Sequence, residues 1–251
     1  MFVPTAYWGG EAPDVYDYLF RGSWDASNAS SYPGTGANWN NVSGSGTFVE
    51  SNSTFVVWTN SGSADYFTYS NNAYHSIGSF GFEMIDGGGG GLPTYGSGWT
   101  ISMWVNPATM TGGEGYFSLQ SGGGSDRMEI EIDAHNNRFY FSTNEESGAD
   151  VFTGNSTIYS AGAWYNIVFT YDGVTFKGYV NTSLQTSGVK VARTPAYVTT
   201  TTMDVNLFMG FTPTYNLNSG GKIAMMEMWN RGIGATDVTD IWNYHKARFG
   251  Y

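Results

Sequence analysis

Three carboxylates recur at every second residue of Met128–Asp133, MEIEID: Glu129, Glu131 and Asp133, with Ile130 and Ile132 between them. That alternation predicts a strand with the acids on one face and the isoleucines on the other. A strand rises about 3.3 Å per residue, so neighbouring acids lie about 6.6 Å apart and the outer two about 13 Å. Carboxyl pairs about 5–5.5 Å apart serve retaining glycoside hydrolysis, and pairs about 6.5–9.5 Å apart serve the inverting reaction. In both, one acid protonates the leaving oxygen while the other attacks or activates water. The same spacing also describes the solvated face of an antiparallel strand, with Arg127, Arg138 and Lys177 as ion-pair partners. The solvated face is the preferred reading, and catalysis through Glu129, Glu131 and Asp133 is the alternative.

Carbohydrate binding needs aromatic faces for C–H stacking and planar polar groups for hydroxyls. Trp104, Tyr140, Arg138, Glu129 and Glu131 fall opposite the expected core positions of their strands. They form the candidate glycan-binding set, with burial of Trp104 in a second packing layer as the competing reading. Other chemistry is thinner. His75, His135 and His245 are far apart and show no His-Glu-x-x-His spacing. The glycine run Gly87–Gly91 has no helix signal after it, so it does not read as a phosphate loop. Without cysteine, neither disulfides nor thiolate metal sites contribute.

The elements that must position these groups are short strands. Asp172-Gly173 between alternating apolar residues predicts a tight hairpin within Trp164–Thr186. Further strands are expected at Thr54–Trp58, Tyr66–Tyr69, Ser79–Ile85, Trp99–Asn106, Tyr116–Gln120, Arg127–Asp133, Arg138–Ser142, Ala192–Val198, Asp204–Met209 and Lys222–Trp229. With 35 Gly and 17% aromatic residues, this pattern predicts an all-β protein, a two-sheet antiparallel jelly-roll sandwich. One short helix is expected at the end, where Val238, Ile241, Trp242 and His245 share a face after Gly234 and Asp237. It should close one end of the sandwich.

Residues 1–47 are read as an N-terminal arm plus a loop segment, and residues 48–251 as the sandwich. The arm either packs on its own domain or grips a neighbouring subunit, and Tyr7, Trp8, Tyr16, Tyr18 and Trp24 are the candidate assembly contacts. Trp24 and Trp39 are expected to anchor the loop to the sandwich. Lys and Arg number 10 against 21 Asp and Glu, and the net charge of −11 argues against nucleic acid as the main partner. No run of about 18 apolar residues suggests membrane insertion. The first residues lack the basic and apolar regions of a signal peptide, so synthesis in a cytoplasm is expected.

Three segments in order resemble the laminin G-like type of concanavalin A-like lectin/glucanase domain. Trp99–Pro107, WTISMWVNP, is similar to its Phe-Thr-Ile-Ser-x-Trp-Val-x-Pro strand, and Trp164–Asn181 to its central hairpin. Leu207–Asn243 resembles its closing strand and helix. The resemblance implies two curved antiparallel sheets packed face to face. Where relatives carry Asp-Glu in the last strand, this chain has Ala224-Met225, which puts a family calcium site in doubt. Glu83, Asp86 and Glu227 remain as candidate calcium ligands, and no other cofactor is expected. Glu129–Asp133 also looks like the Glu-x-Asp-x-Glu signature of laminarinase-type glucanases, with the middle and last acids exchanged in type.

Asp25–Gly46 resembles a segment that precedes such domains in bacteriophage structural proteins. That likeness implies a virion component, either capsid decoration or tail fibre, with virion proteins or host-surface polysaccharide as partners and homo-oligomers as the working form. A free lectin module is the other non-catalytic reading.

Overall fold

The computed structural model describes residues 14, 16, 20–43, 46–71, 73–80, 98–111, 114–121, 128–145, 148–153, 157–189, 203–207 and 220–251. The first strands in chain order are β1 (Phe20–Asp25), β2 (Asn38–Asn40), β3 (Thr47–Glu50), β4 (Val56–Thr59), β5 (Tyr66–Tyr69) and β6 (His75–Phe80). The central ones are β7 (Trp99–Asn106), β8 (Glu114–Ser121), β9 (Met128–His135), β10 (Arg138–Glu145) and β11 (Gly148–Thr153). Then come β12 (Tyr165–Tyr171), β13 (Thr175–Val180), β14 (Ser183–Val189), β15 (Met203–Leu207) and β16 (Lys222–Trp229), followed by helix α1 (Ala235–His245) and a 3₁₀ turn at Lys246–Phe249.

The strands form two antiparallel sheets, so the expected jelly-roll sandwich with one C-terminal helix is the observed fold. The first sheet runs β14-β13-β12-β7-β16-β5-β4, with β1 also on β16, and the second runs β11-β10-β9-β8-β15-β6-β3-β2. Alternation decides what meets between them. Ile101, Met103, Val105, Ile167, Phe169, Met226 and Met228 from the first sheet pack against Phe117, Ile132, Phe139, Phe141 and Leu207 from the second. Each such side chain contributes about 1.5–3 kcal/mol on burial. At Gly178 of β13 the sheets touch so closely that a Cβ would lie 2.5 Å from the Phe141 ring.

Three expectations need correction. The Asp172-Gly173 hairpin is real, but its tight turn is centred one residue later, on Gly173-Val174: Tyr171 pairs with Phe176, and the Asp172 N–H donates to the Thr175 carbonyl at 3.2 Å. The Asp172 carboxylate accepts the backbone N–H groups of Val174 and Thr175 at 3.1 and 2.8 Å, while Gly173 takes φ +94°.

The loop assigned to residues 21–47 is partly sheet. β1 pairs with β16 from Phe20↔Trp229 to Asp25↔Met225, and β2 pairs with β3. The buried rings of Trp24 and Trp39 pack 5.1 and 6.1 Å from Phe48, which draws these polar stretches into the sandwich. β3 runs across the position between residues 47 and 48.

Finally, α1 lies across the outer face of the first sheet rather than at an end. Its Val238 and Ile241 pack with Val168, Tyr179 and Trp229. Gly234 caps it, with the Asp237 carboxylate accepting the Gly234 N–H at 3.2 Å. This cover is why every residue of β7 is buried despite its clean alternation.

Candidate functional site

On β9, Ile132 and Ala134 belong to the core. Strand alternation therefore sets Glu129, Glu131 and Asp133 on the opposite, outward face of the second sheet. On β10 the buried residues are Phe139 and Phe141, so Arg138 and Tyr140 fall on that same outward face and are half-buried. Asp133 pairs with Tyr140 and Glu131 with Ser142.

The register extends this patch into a row. One rung reads Ser142 (β10), Glu131 (β9), Ser118 (β8), Asn206 (β15) and Ser76 (β6). Val49 of β3 comes next on the rung and is 46% exposed, and Ser142 and Ser76 are half-buried, while Ser118 between them is buried. The neighbouring rung reads Asn144, Glu129, Gln120 and Asp204. With strands about 4.8 Å apart, the first rung spans about 19 Å. Serine hydroxyls, amides and carboxylates supply both donors and acceptors, the pairing that sugar hydroxyls require.

Trp104 is not part of this face. It lies on β7 in the other sheet, fully buried, stacked 3.9 Å from Phe249 and 5.0 Å from Trp242. The competing reading of Trp104 as packed interior is the one observed, because the C-terminal turn covers the outer face of its strand.

Of the calcium candidates, Glu227 is the one among the described residues. Glu227 is buried, its Oε1 accepts the Tyr16 hydroxyl at 2.9 Å, and His245 Nε2 stands 3.4 Å away. A phenol and an imidazole make a poor oxygen cage. Glu83 and Asp86 lie outside the described residues, and among the described residues no group of three acidic or histidine side chains gathers.

Of the assembly candidates, Tyr16 and Trp24 are buried within their own chain. Tyr16 touches His245 Nε2 at 2.8 Å and packs on Trp229, and burial beside Glu227 pushes its hydroxyl pKa well up. Tyr7, Trp8 and Tyr18 lie outside the described residues.

Sequence reading passed over several polar groups held inside. Arg248 makes a two-pronged ion pair with Asp25, both contacts at 2.7 Å, fastening the C-terminal turn to β1. Burial opposes the Arg248 charge, and Asp25 outweighs that and raises its pKa. Glu114 is fully buried, accepting Thr109 N–H at 2.9 Å and the Tyr116 hydroxyl at 2.5 Å. His75 shares a 2.6 Å hydrogen bond with the Tyr69 hydroxyl, and burial lowers its pKa to about 3. Asp25 and Arg248 are remote in the chain, so no local spacing announces their pairing, while the Glu114 and His75 contacts join near neighbours in sequence that no motif singles out.

Residues 88–239 match the family model described as the concanavalin A-like lectin/glucanases superfamily. The chain belongs to that superfamily. No curated protein matches its sequence. Among solved structures, the botulinum neurotoxin type G receptor-binding domain superposes with TM-score 0.58 at 14% identity, over 88% of this chain and 50% of that one. A structure concerned with botulinum neurotoxin type C, whose cell entry depends on interaction with two ganglioside molecules, gives 0.64 at 12%, over 90% and 51%. A Trypanosoma rangeli sialidase gives 0.63 at 12%, over 100% and 37%. This lectin/glucanase-superfamily chain thus spans about half the length of those neurotoxin domains. Such identities show a shared fold, and that fold serves receptor-binding domains and a sialidase alike.

Proposed function

We propose that this chain is a carbohydrate-binding adhesion module of a phage particle, working by recognition rather than catalysis. The observation that carries the reading is the polar rung Ser142–Glu131–Ser118–Asn206–Ser76 across the outward face of the second sheet. The corresponding face of the first sheet is taken up by α1 and the C-terminal turn. The acidic groups in the rungs suit a neutral, hydroxyl-rich polysaccharide at this face. Contacts of this kind are individually weak, and repetition in a homo-oligomer converts them into avidity. The phage setting is supported by the resemblance of Asp25–Gly46, a segment that holds the last residue of β1 and all of β2 and whose Asp25 anchors Arg248.

Glycan-array binding followed by calorimetry tests the reading. Glu131→Ala should weaken binding about tenfold, the loss of roughly one charge-assisted hydrogen bond, with the melting temperature unchanged. A wild-type chain that binds no glycan overturns the proposal. The about 6.6 Å step between Glu129 and Glu131 favours inverting hydrolysis as the second reading. Release of reducing ends that disappears in both Glu129→Gln and Glu131→Gln would replace adhesion by catalysis. Binding should survive chelation, and a chelator-sensitive affinity would bring Glu83 and Asp86 back as calcium ligands. Antibody label on purified particles tests the virion setting, and its absence would leave a free lectin.

A further inference from the structure

The first sheet carries a different cluster at the edge of its covered face. Trp104 forms a buried floor beneath Phe249 and Trp242. Around that stack stand rings that remain partly open: Tyr66, Trp164 and Trp242 are half-buried and Tyr251 is 51% exposed. The Tyr66 and Trp164 ring centroids are 5.7 Å apart with planes inclined at 60°, a tilted pair in contact. Trp242 and Tyr251 pair at 4.7 Å. The Tyr251 hydroxyl donates to the Trp164 carbonyl at 2.6 Å, which ties the last residue into the shelf.

One cation stands over these rings. Lys222 Nζ lies 4.7 Å from the Tyr66 centroid. The other basic groups nearby are already engaged, Arg248 by Asp25 and Lys246 by Asn243. Lys222 has no carboxylate partner among the described residues. An apolar protein surface placed here would bury its ammonium without a counter-ion, which is costly. A ligand that presents C–H faces to the rings and a carboxylate to Lys222 satisfies both halves of the shelf.

We propose that the Tyr66–Trp164–Lys222 shelf binds a carboxylate-bearing sugar of an acidic polysaccharide. This site is separate from the polar rungs of the second sheet and does not rest on them. The ligand carboxylate accepts from Lys222 Nζ, while its ring stacks on the half-buried Tyr66–Trp164 pair. Trp242 and Tyr251 extend the platform towards the C-terminus.

Tryptophan fluorescence of the full chain, titrated with a short oligogalacturonate, tests the proposal, with a neutral galactose oligosaccharide as control. The acidic ligand should give a saturable change that weakens as salt rises, and the neutral one should not. Lys222→Gln should lower the affinity at least tenfold with an unaltered melting temperature, while Lys222→Arg retains most of it. Glu131→Ala, on the other face, should leave this titration unchanged, so failure here is distinct from failure of the glycan reading above. No response to the acidic ligand, or equal affinity in Lys222→Gln, would overturn the proposal. So would self-association abolished by Tyr66→Ala, which would give the shelf to a second copy of the chain.

Discussion

Replacing Gly178 by Ala probes the face assignment on which the functional reading depends. At a strand glycine with ordinary backbone angles, a methyl group normally stabilises by about 0.4–1 kcal/mol, by restricting the unfolded chain. Here the added Cβ would sit 2.5 and 2.7 Å from Cδ2 and Cε2 of Phe141. Carbon atoms prefer about 3.5–4.0 Å, so the ring must retreat by about 1 Å. Phe141 is fully buried and backed by Phe169 at 5.3 Å, which leaves it little room. Overpacking of this kind costs about 1–3 kcal/mol. At about 2–4 °C per kcal/mol for a chain of this size, the melting temperature should fall by about 2–12 °C. Calorimetric melts of Gly178→Ala, Phe141→Leu and the double variant complete the test. Trimming the ring should relieve the clash, with a coupling of about 0.5–3 kcal/mol. A Gly178→Ala chain that melts at or above the wild-type temperature would refute the packing. Phe141 would then not point inward, and the alternation that sets Tyr140, Ser142 and Glu131 outward would be reversed.

Two other outcomes follow from buried groups. Trp104→Ala should cost about 3–5 kcal/mol in a denaturant melt. It should leave the affinity for a neutral glycan unchanged in the folded chain, and lost binding at an unchanged melting temperature would restore Trp104 as a sugar-stacking residue. His75, with a pKa lowered from 6.5 to about 3, is held neutral in the folded state and gains a proton on unfolding in acid. Its contribution is therefore fully present above about pH 6.5 and is lost as pH falls towards 3, by about 1.4 kcal/mol per pH unit within that window. Urea midpoints at about pH 6.5 and 5, compared between wild type and His75→Gln, measure this, since carboxylates titrate mostly below that range. Parallel pH dependence in the two chains would sink the assignment.

Much of the fold was legible because period-two alternation and turn chemistry are local. Trp99–Asn106, the Asp172-Gly173 hairpin and the capped helix at Gly234 all came from residues adjacent in the chain. β1 and β2 did not, because FRGSWD and NWN each offer a single buried tryptophan among small or polar residues. Their strand form comes from partners far along the chain, β16 for the one and β3 and the core for the other. Trp104 failed for a related reason: alternation distinguishes two faces but not whether a later element covers the second. Glu129, Glu131, Asp133, Arg138 and Tyr140 lie on two consecutive strands, β9 and β10, whose pairing a local turn specifies. Ser118, Asn206 and Ser76 complete the rung only through pairings of β8, β15 and β6, which no local pattern specifies.

The unequal treatment of the two outer faces bears on how the chain works. The C-terminal turn is fixed to the first sheet by Asp25–Arg248, and α1 by the contact of His245 with Tyr16. Polar groups there, such as Ser102, Thr100 and Asn166, are buried, and those with partners find them within the protein, as Thr100 does with Thr170 at 2.8 Å. The rung of the second sheet runs from half-buried Ser142 past buried Ser118 to half-buried Ser76 and exposed Val49. Half-buried hydroxyls such as Ser142 and Ser76 lose little when a sugar hydroxyl replaces water, and they gain little for the same reason. A face of this kind gives shallow, tolerant recognition, so under the proposed function specificity and strength come from copy number. Linked sites raise avidity by about 10²–10⁴ without any new contact, which is what a repeated particle surface supplies and a single sandwich does not.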